Sequence, residues 1–187
     1  MKIIRILVFA LFSILNFAGE YQVDKAEKNN VKFISATTIQ DFDGVTDNID
    51  GFLYYEGDDL LNKSKLYFEV DLTTLDTGIG LRNRHMRENY LETDKYRTTT
   101  FSGKLIKADK LTENEYDVVV KGEIFIHGVT KEMTIEGKIN RKERKLEIKT
   151  GFSIKLSDFD IEIPSFMFLK LSNNIKLELD FFMNAAN

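Results

Sequence analysis

The chain has 187 residues, of which 43% are apolar, enough for one domain with a hydrophobic core. It carries 26 basic and 30 acidic residues, for a net charge of −4, and it contains no cysteine. An acidic chain with no basic run is a poor candidate for binding nucleic acid or anionic membrane surfaces. The lack of cysteine excludes a disulfide framework, a thiolate metal site and lipid attachment to an N-terminal cysteine.

The N-terminal segment has the layout of a secretory signal peptide. Two basic residues precede a short apolar run over residues 6–15, and residues 16–19 lead into the polar Glu20. The run is shorter than a membrane-spanning helix needs, so we expect a cleaved leader over residues 1–18, with an uncleaved membrane anchor as the alternative. Cleavage leaves one domain, residues 19–187, which carries a net charge of −6 and is expected in the periplasm or outside the cell.

The first half of the domain alternates apolar and polar side chains, the period typical of half-buried strands. The predicted strands are residues 21–24, 31–39, 52–56 and 65–72. Two Asp-Gly pairs, Asp43-Gly44 and Asp50-Gly51, are predicted as turns between them.

The alternation stops at Leu72 and resumes at Thr98, and polar chemistry concentrates between these residues. The spacing predicts a helix over residues 81–91, which Asp76 or Thr77 could cap. The basic residues on this helix are Arg82, Arg84, His85 and Arg87.

The second half alternates more regularly than the first. The predicted strands are residues 98–107, 116–126, 132–139, 146–156 and 175–181. Short turns at 110–114, 127–128 and 141–144 make neighbouring strands antiparallel. A barrel and a sandwich would both bury one face of such strands, and the length of the strands favours the barrel. We therefore predict an all-β, antiparallel barrel of about eight strands with one short helix near its mouth.

The side chains expected to face the barrel interior include both large and small residues. The large ones are Phe33, Phe52, Phe68, Phe101, Ile135, Phe152 and Ile154. The small ones are Ser35, Gly103, Gly122, Gly137 and Thr150. The small residues either leave room for one elongated ligand or only relieve crowding at bends. Because no polar cluster is predicted inside, a ligand held there would be a hydrocarbon.

Several segments, in this order and spacing, are similar to a known family. They are residues 21–24, 31–34, 75–78, 82–87, 95–96, 99–101, 126–131 and 157–159. The chain resembles the YceI-like polyisoprenoid- or lipid-binding family of exported bacterial proteins. It departs from the family pattern at Asn83, where an acidic residue is usual. The resemblance implies a lipocalin-like barrel that holds a long isoprenoid or acyl chain.

The helix is where such a ligand would present its polar end. We expect Arg82, His85 and Arg87 to contact the headgroup near the barrel mouth, with Met86 as an apolar contact below them. The alternative is that Arg82 and His85 only tie the helix to neighbouring loops. The other predicted ligand contacts are the large inward-facing residues given above.

The remaining chemistry favours binding over catalysis. His127 is expected to hydrogen-bond to the backbone of its turn, and no nucleophile, phosphate-binding or metal-binding motif occurs. We therefore expect no enzyme activity, no metal and no cofactor, and a long-chain lipid as the partner. Nucleic acid and stable membrane insertion are not expected, and a homodimer is left open. The alternative function is an envelope stress or interaction protein whose barrel is filled by its own side chains.

Overall fold

The described chain is built almost entirely from antiparallel strands. The computed structural model describes residues 18–35, 41–163, 165–166 and 169–186, so the predicted leader lies outside them apart from its last residue. The strands are β1 Ala18–Val23, β2 Asn30–Ser35, β3 Phe42–Thr46, β4 Ile49–Glu56, β5 Lys65–Asp71, β6 Thr98–Lys110, β7 Glu115–Ile126, β8 Val129–Lys142, β9 Lys145–Lys155, β10 Ser165–Phe166, β11 Leu169–Lys170 and β12 Asn174–Ala185.

The strands close into a barrel with eight strand positions. The order around it is β1, β4, β5, β6, β7, β8, β9 and β12, and β12 pairs back with β1. Beyond the end of β1, β2 continues the pairing with β12, and β3 pairs with β2 beyond the end of β4. β1 and β2 therefore lie end to end and share one position in the barrel, and β4 and β3 share another. The short strands β10 and β11 form a separate two-stranded sheet. The antiparallel barrel of about eight strands predicted from the sequence is confirmed.

Both Asp-Gly pairs predicted as turns lie inside strands. Asp43-Gly44 belongs to β3 and Asp50-Gly51 to β4. A Cβ atom at Gly44 would lie 2.3 Å from a ring carbon of Phe33, and one at Gly51 would lie 2.2 Å from the carbonyl oxygen of Tyr67. The turn prediction was wrong because these glycines serve close packing across neighbouring strands.

A helical segment joins β5 to β6 at one end of the barrel, which we call the helix end. It consists of a 3₁₀ turn, Leu72–Thr74, then helix α1, Gly80–His85, which continues into a π-helical turn, Met86–Tyr90. In that last turn the amide of Leu91 donates to the carbonyl of Met86, an i to i+5 bond. The prediction of one short helix near the barrel mouth is confirmed.

The end of the barrel opposite the helix is filled by side chains. Leu146 of β9 and Met183 of β12 face each other in register and have no exposed surface. Beside them Tyr55 is 1% exposed and stacks on Tyr21, with ring centroids 6.0 Å apart. Burial of one such side chain stabilises a fold by roughly 1.5–3 kcal/mol, so this half of the barrel is a conventional hydrophobic core.

At the helix end, β8 and β9 separate. Their pairing runs only as far as Gly137 and Thr150, although both strands continue toward the helix. The chain that follows β9 packs there: Phe159 and Ile161 are 2% and 4% exposed and cluster with inward-facing residues of β7, β8 and β9. The segment 156–161 therefore closes the barrel wall where strand pairing does not.

Candidate functional site

A row of inward-facing apolar side chains crosses three neighbouring strands in the helix-end half of the barrel. Leu177 of β12 pairs with Phe33 of β2 on one side and with Phe152 of β9 on the other. All three residues keep accessible surface, in contrast to Leu146 and Met183 at the opposite end. Inward-facing side chains of a barrel that stay accessible are the ones that a ligand in the lumen could contact.

A second row lies one step closer to the helix and contains a buried hydroxyl. Ile175 of β12 pairs with Ser35 of β2 and with Ile154 of β9. Ser35 is 1% exposed, and within the described part of the chain its Oγ has no hydrogen-bond partner. A buried polar group without a partner costs roughly 1–3 kcal/mol. The Ser35 hydroxyl is therefore suited to receive a polar group of a ligand.

From the sequence, Ser35 was predicted only as a small inward-facing residue that either leaves room for a ligand or relieves crowding. A polar residue at an inward position of an otherwise apolar strand was the available signal. Phe42, which pairs with Ser35 across β2 and β3, was missed because the Asp-Gly pair beside it was read as a turn.

Arg82 brings a positive charge next to these rows. Its guanidinium lies 4.7 Å from the ring centroid of Phe42, and this ring meets Phe33 edge to face at 6.1 Å. The guanidinium also donates to the hydroxyl of Thr77 at 2.8 Å and to the Thr77 carbonyl at 2.5 Å. Arg82 thus ties the helix to the preceding loop, and its role as a headgroup contact stays a prediction.

Asn83 fixes the loop that holds Arg82. Its Oδ1 accepts hydrogen bonds from the Thr77 amide at 2.9 Å and the Thr77 hydroxyl at 2.6 Å, and its Nδ2 donates to Asp76 at 2.7 Å. The Asn83 bond, together with the Gly78 amide, holds the pKa of the Asp76 carboxyl below its ordinary value. Neither predicted residue, Asp76 or Thr77, caps the helix. Its N-cap position is Ile79, which makes no side-chain capping bond, and Asn83 within the helix bonds to Asp76 and Thr77 in the preceding loop.

Four other predicted contacts lie at or near the lumen. Phe68 and Phe101 are half-buried and pack against the core, Ile135 is 6% exposed, and Met86 is half-buried on the π-helical turn. Their predicted role in binding stays a prediction.

Two predicted contacts lie away from the lumen. The inward placement of Phe52 was wrong, because alternation in β4 turns Leu53 and Tyr55 inward and leaves Phe52 36% exposed on the outer face. There its ring stacks on Tyr67, with centroids 6.3 Å apart. His85 is exposed on α1, and its role as a headgroup contact stays a prediction.

His127 joins three segments of the helix end. Its expected bond to its own turn is replaced by bonds to Phe159 and Glu92. The hydrogen bond from Lys95, and a further one from His127, hold the pKa of the Glu92 carboxyl below its ordinary value. The cluster is a structural clamp, with both ring nitrogens already engaged.

A groove of about 830 Å³ lies on the outside of the barrel. Charged residues that alternate outward on β6 to β9 and β12 line it, with ion pairs such as Lys138 to Asp117 at 3.2 Å and Lys149 to Asp180 at 3.5 Å. Because charged side chains make up much of this lining, the inward-facing rows are the better candidate site for a hydrocarbon.

Within the described ranges, no helix combines the length and hydrophobicity needed to cross a bilayer. Across those same residues, no group of three or more His, Asp or Glu side chains is placed to hold a metal ion.

The barrel is similar to several solved structures. One is BcnA of Burkholderia cenocepacia, with a TM-score of 0.70 and 16% identity over 86% of this chain and 98% of that one. Another is a polyisoprenoid binding domain from Saccharophagus degradans implicated in plant cell wall breakdown, with a TM-score of 0.67 and 18% identity over 89% of this chain and 98% of that one. At these identities the likeness shows the fold.

Sequence comparison extends the likeness to the family. The chain is 28% identical to Protein YceI of Escherichia coli over 161 residues, which cover 78% of each chain. It is 25% identical to Protein YceI of Salmonella newport over 178 residues, 84% of this chain and 86% of the relative. Residues 21–183 match the YceI-like domain, a span that contains nearly every strand described above. The chain belongs to the YceI-like domain family.

Proposed function

We propose that the protein is an exported lipid-binding protein that holds a long isoprenoid or acyl chain inside the barrel. The observation that carries this proposal is the accessible inward-facing row formed by Phe33, Leu177 and Phe152. The row is apolar and continuous across three strands, as a hydrocarbon tail requires. The likeness to the polyisoprenoid binding domain of Saccharophagus degradans supports the same class of ligand.

The polar contacts near the helix decide how such a lipid is selected. Burial of a chain gains about 0.8 kcal/mol per CH₂ relative to water, but a lipid in a membrane already has this gain. The apolar contribution therefore nearly cancels when the lipid moves from bilayer to barrel. Affinity then depends on the fit of the lumen and on the headgroup, for which Ser35 and Arg82 offer a hydroxyl and a positive charge.

Export fits this function. The apolar run after two basic residues at the N-terminus supports a leader that directs the chain to the periplasm or the medium. There the barrel would carry, store or sense a lipid between membranes. The proposal includes no catalytic step.

Native mass spectrometry of the purified protein tests the proposal. We expect an additional mass that disappears on denaturation and has the composition of an isoprenoid or acyl lipid. Leu177→Trp should leave the protein folded and remove this mass, because the larger ring occupies the space beside Phe33 and Phe152. Phe52→Trp is the matched control, since this position faces outward and should retain the lipid.

Two outcomes would contradict lipid binding. One is a wild-type protein that carries no lipid and takes none from vesicles. The other is a Leu177→Trp variant that is strongly destabilised, because this would show the lumen to be filled by side chains, as the interaction-protein alternative requires.

A further inference from the structure

Two exposed aliphatic side chains project from the start of helix α1. Ile79 and Leu81 are 52% and 58% exposed. A Cβ atom added at either flanking glycine, Gly78 or Gly80, would have nothing within 4 Å. The segment therefore stands clear of the barrel, and burial in the fold does not explain its two large apolar side chains.

The same segment carries three arginines whose charge is only partly offset, since Arg82 and Arg87 act on the carboxyls of Asp43 and Asp76 without forming ion pairs with them. Arg82, Arg84 and Arg87 have no carboxylate within 4.0 Å in the part of the chain that the structure describes. Arg82 and Arg87 donate to neutral oxygens of Thr77 and Thr73, and Arg84 is exposed. We call Ile79, Leu81 and these three arginines the Ile79–Arg87 surface.

The barrel wall differs from this surface. Many of its lysines are paired with carboxylates, as in Lys107 with Asp109, Lys145 with Glu27 and Lys176 with Glu178. The chain as a whole is also acidic. The Ile79–Arg87 surface is therefore a place where exposed aliphatic side chains coincide with arginines that have no carboxylate partner among the described residues.

We propose that the Ile79–Arg87 surface docks the barrel, helix end first, onto an anionic lipid bilayer. Aliphatic side chains flanked by cations match the interface of such a bilayer, where the tails take up Ile79 and Leu81 and the headgroups pair with the arginines. The net charge predicts weak adsorption of the protein as a whole, so the contact is local and oriented. The proposal rests on the proposed function in one respect, namely that a docked mouth lets a lipid pass between bilayer and lumen without crossing water.

The lack of tryptophan in the chain makes the contact directly measurable. Ile79→Trp introduces a single indole at the tip of the surface, and Leu111→Trp introduces one at the opposite end, where Leu111 is 51% exposed. Each protein is mixed with vesicles of equal parts phosphatidylcholine and phosphatidylglycerol. We expect the emission of Ile79→Trp to shift to shorter wavelength and to be quenched by brominated acyl chains, and that of Leu111→Trp to stay unchanged.

Flotation with the same vesicles, using the wild-type protein and variants without an introduced tryptophan, measures how strongly each protein binds the bilayer. Ile79→Ser combined with Leu81→Ser should weaken binding about tenfold or more, because two aliphatic side chains no longer leave water. Arg84→Gln should weaken it on the order of fivefold, an effect that high salt removes. Leu111→Ser and Lys110→Gln are the matched controls at the opposite end and should leave binding unchanged.

The docking proposal is overturned if the protein does not float with anionic vesicles, or if the control variants weaken flotation as much as the helix-end variants. It is also overturned if the Ile79–Arg87 surface crosslinks to a protein but binds no vesicles. Native mass spectrometry reports lipid content separately. A lipid-loaded barrel that does not bind vesicles rejects docking alone, whereas a barrel that binds vesicles but takes up no lipid supports docking and rejects the proposed function.

Discussion

His127 Nε2 lies 3.0 Å from Glu92 Oε2, so the turn between β7 and β8 is joined to the loop that follows the helix. The other ring nitrogen, Nδ1, lies 3.1 Å from the carbonyl oxygen of Phe159, in the segment that closes the wall beside β9. Both ring nitrogens thus face acceptors, and a ring protonated at both can donate to each. One side chain therefore holds together three segments that strand pairing leaves separate.

His127→Asn should destabilise the protein by roughly 1–2 kcal/mol, because the shorter side chain cannot reach the Phe159 carbonyl or Tyr96, against which the imidazole packs at 4.8 Å. Asparagine is chosen because it tolerates the left-handed backbone that His127 adopts at φ +50°. Urea denaturation followed by circular dichroism measures the loss.

Glu143→Asn is the control for this substitution. Glu143 also adopts a left-handed conformation, at φ +52°, in the turn between β8 and β9, and it is exposed. We expect its free energy of unfolding to change by less than about 0.5 kcal/mol. Equal losses in the two variants would show that backbone conformation, and not the bridge to Phe159 and Glu92, accounts for the effect.

The barrel could be predicted from the sequence because strand alternation is a local pattern. In β5 to β9 and β12, each run of alternating side chains corresponds to a strand, and the buried face is the apolar one. The prediction failed in β3 and β4, where Asp43-Gly44 and Asp50-Gly51 carry the signature of a turn. Glycine is needed at these positions because Phe33 and Tyr67 on other strands pack closely against them. Such contacts between distant parts of the chain leave no local signal in the sequence.

The candidate site was less predictable than the fold for the same reason. Inward placement of Phe33 and Phe152 follows from alternation within each strand. The position of Leu177 between them depends on the register of β12 against two neighbours, which is set by the closure of the barrel. Phe52 was misplaced because both faces of β4 carry large apolar side chains, Phe52 and Tyr54 on one face and Leu53 and Tyr55 on the other, so alternation alone does not show which face is buried.

The ionisation of Asp71 should make the free energy of unfolding depend on pH in the acid range. Although burial opposes it, hydrogen bonds from Thr73 and the guanidinium of Arg97 hold the pKa of the Asp71 carboxyl below its ordinary value. A carboxyl whose pKa is lower in the folded than in the unfolded state contributes stability above the unfolded pKa, and this contribution is lost as the pH falls through the folded pKa.

Asp71→Asn should therefore cost about 1 kcal/mol at neutral pH and progressively less below about pH 4, since asparagine can still accept from Thr73 but does not attract Arg97. Free energies of unfolding measured from pH 7 to pH 3 give the difference between the two proteins. Asp117→Asn removes the same charge from the outer surface and should show a smaller difference. A difference for Asp71→Asn that stays constant with pH would contradict the assignment.

Gly44→Ala should destabilise the barrel because the new methyl group meets the Phe33 ring at 2.3 Å. The ring has to turn away, which costs roughly 1–3 kcal/mol and alters the row it forms with Leu177. Gly80→Ala is the control, because a Cβ atom there has nothing within 4 Å and alanine favours the helix. Thermal unfolding should show a lower midpoint for the first variant and an unchanged or higher one for the second.

Combining Gly44→Ala with Phe33→Leu tests the cause of that loss. The smaller side chain makes room for the methyl group, so the double variant should lose less stability than the sum of the two single changes. Strict additivity would mean that the Phe33 contact does not explain why glycine occupies position 44.

The pair formed by Asn83 and Asp76 should need an amide donor on one side and a carboxylate acceptor on the other. Asn83→Asp places a second carboxylate where Nδ2 now donates to Asp76 at 2.7 Å, so two like charges meet and the bond is lost. We expect a loss of roughly 2 kcal/mol at neutral pH, which lessens in acid as one carboxyl takes up a proton.

Adding Asp76→Asn reverses the pair, because the new amide can donate to the new carboxylate, which still accepts from Thr77 as Asn83 does. The double variant should regain most of the stability that Asn83→Asp loses, as a double-mutant cycle by urea denaturation would show. Recovery would show that the loop needs one amide and one carboxylate at positions 76 and 83, and its failure would mean that the loop depends on Asn83 through its bonds to Thr77 alone.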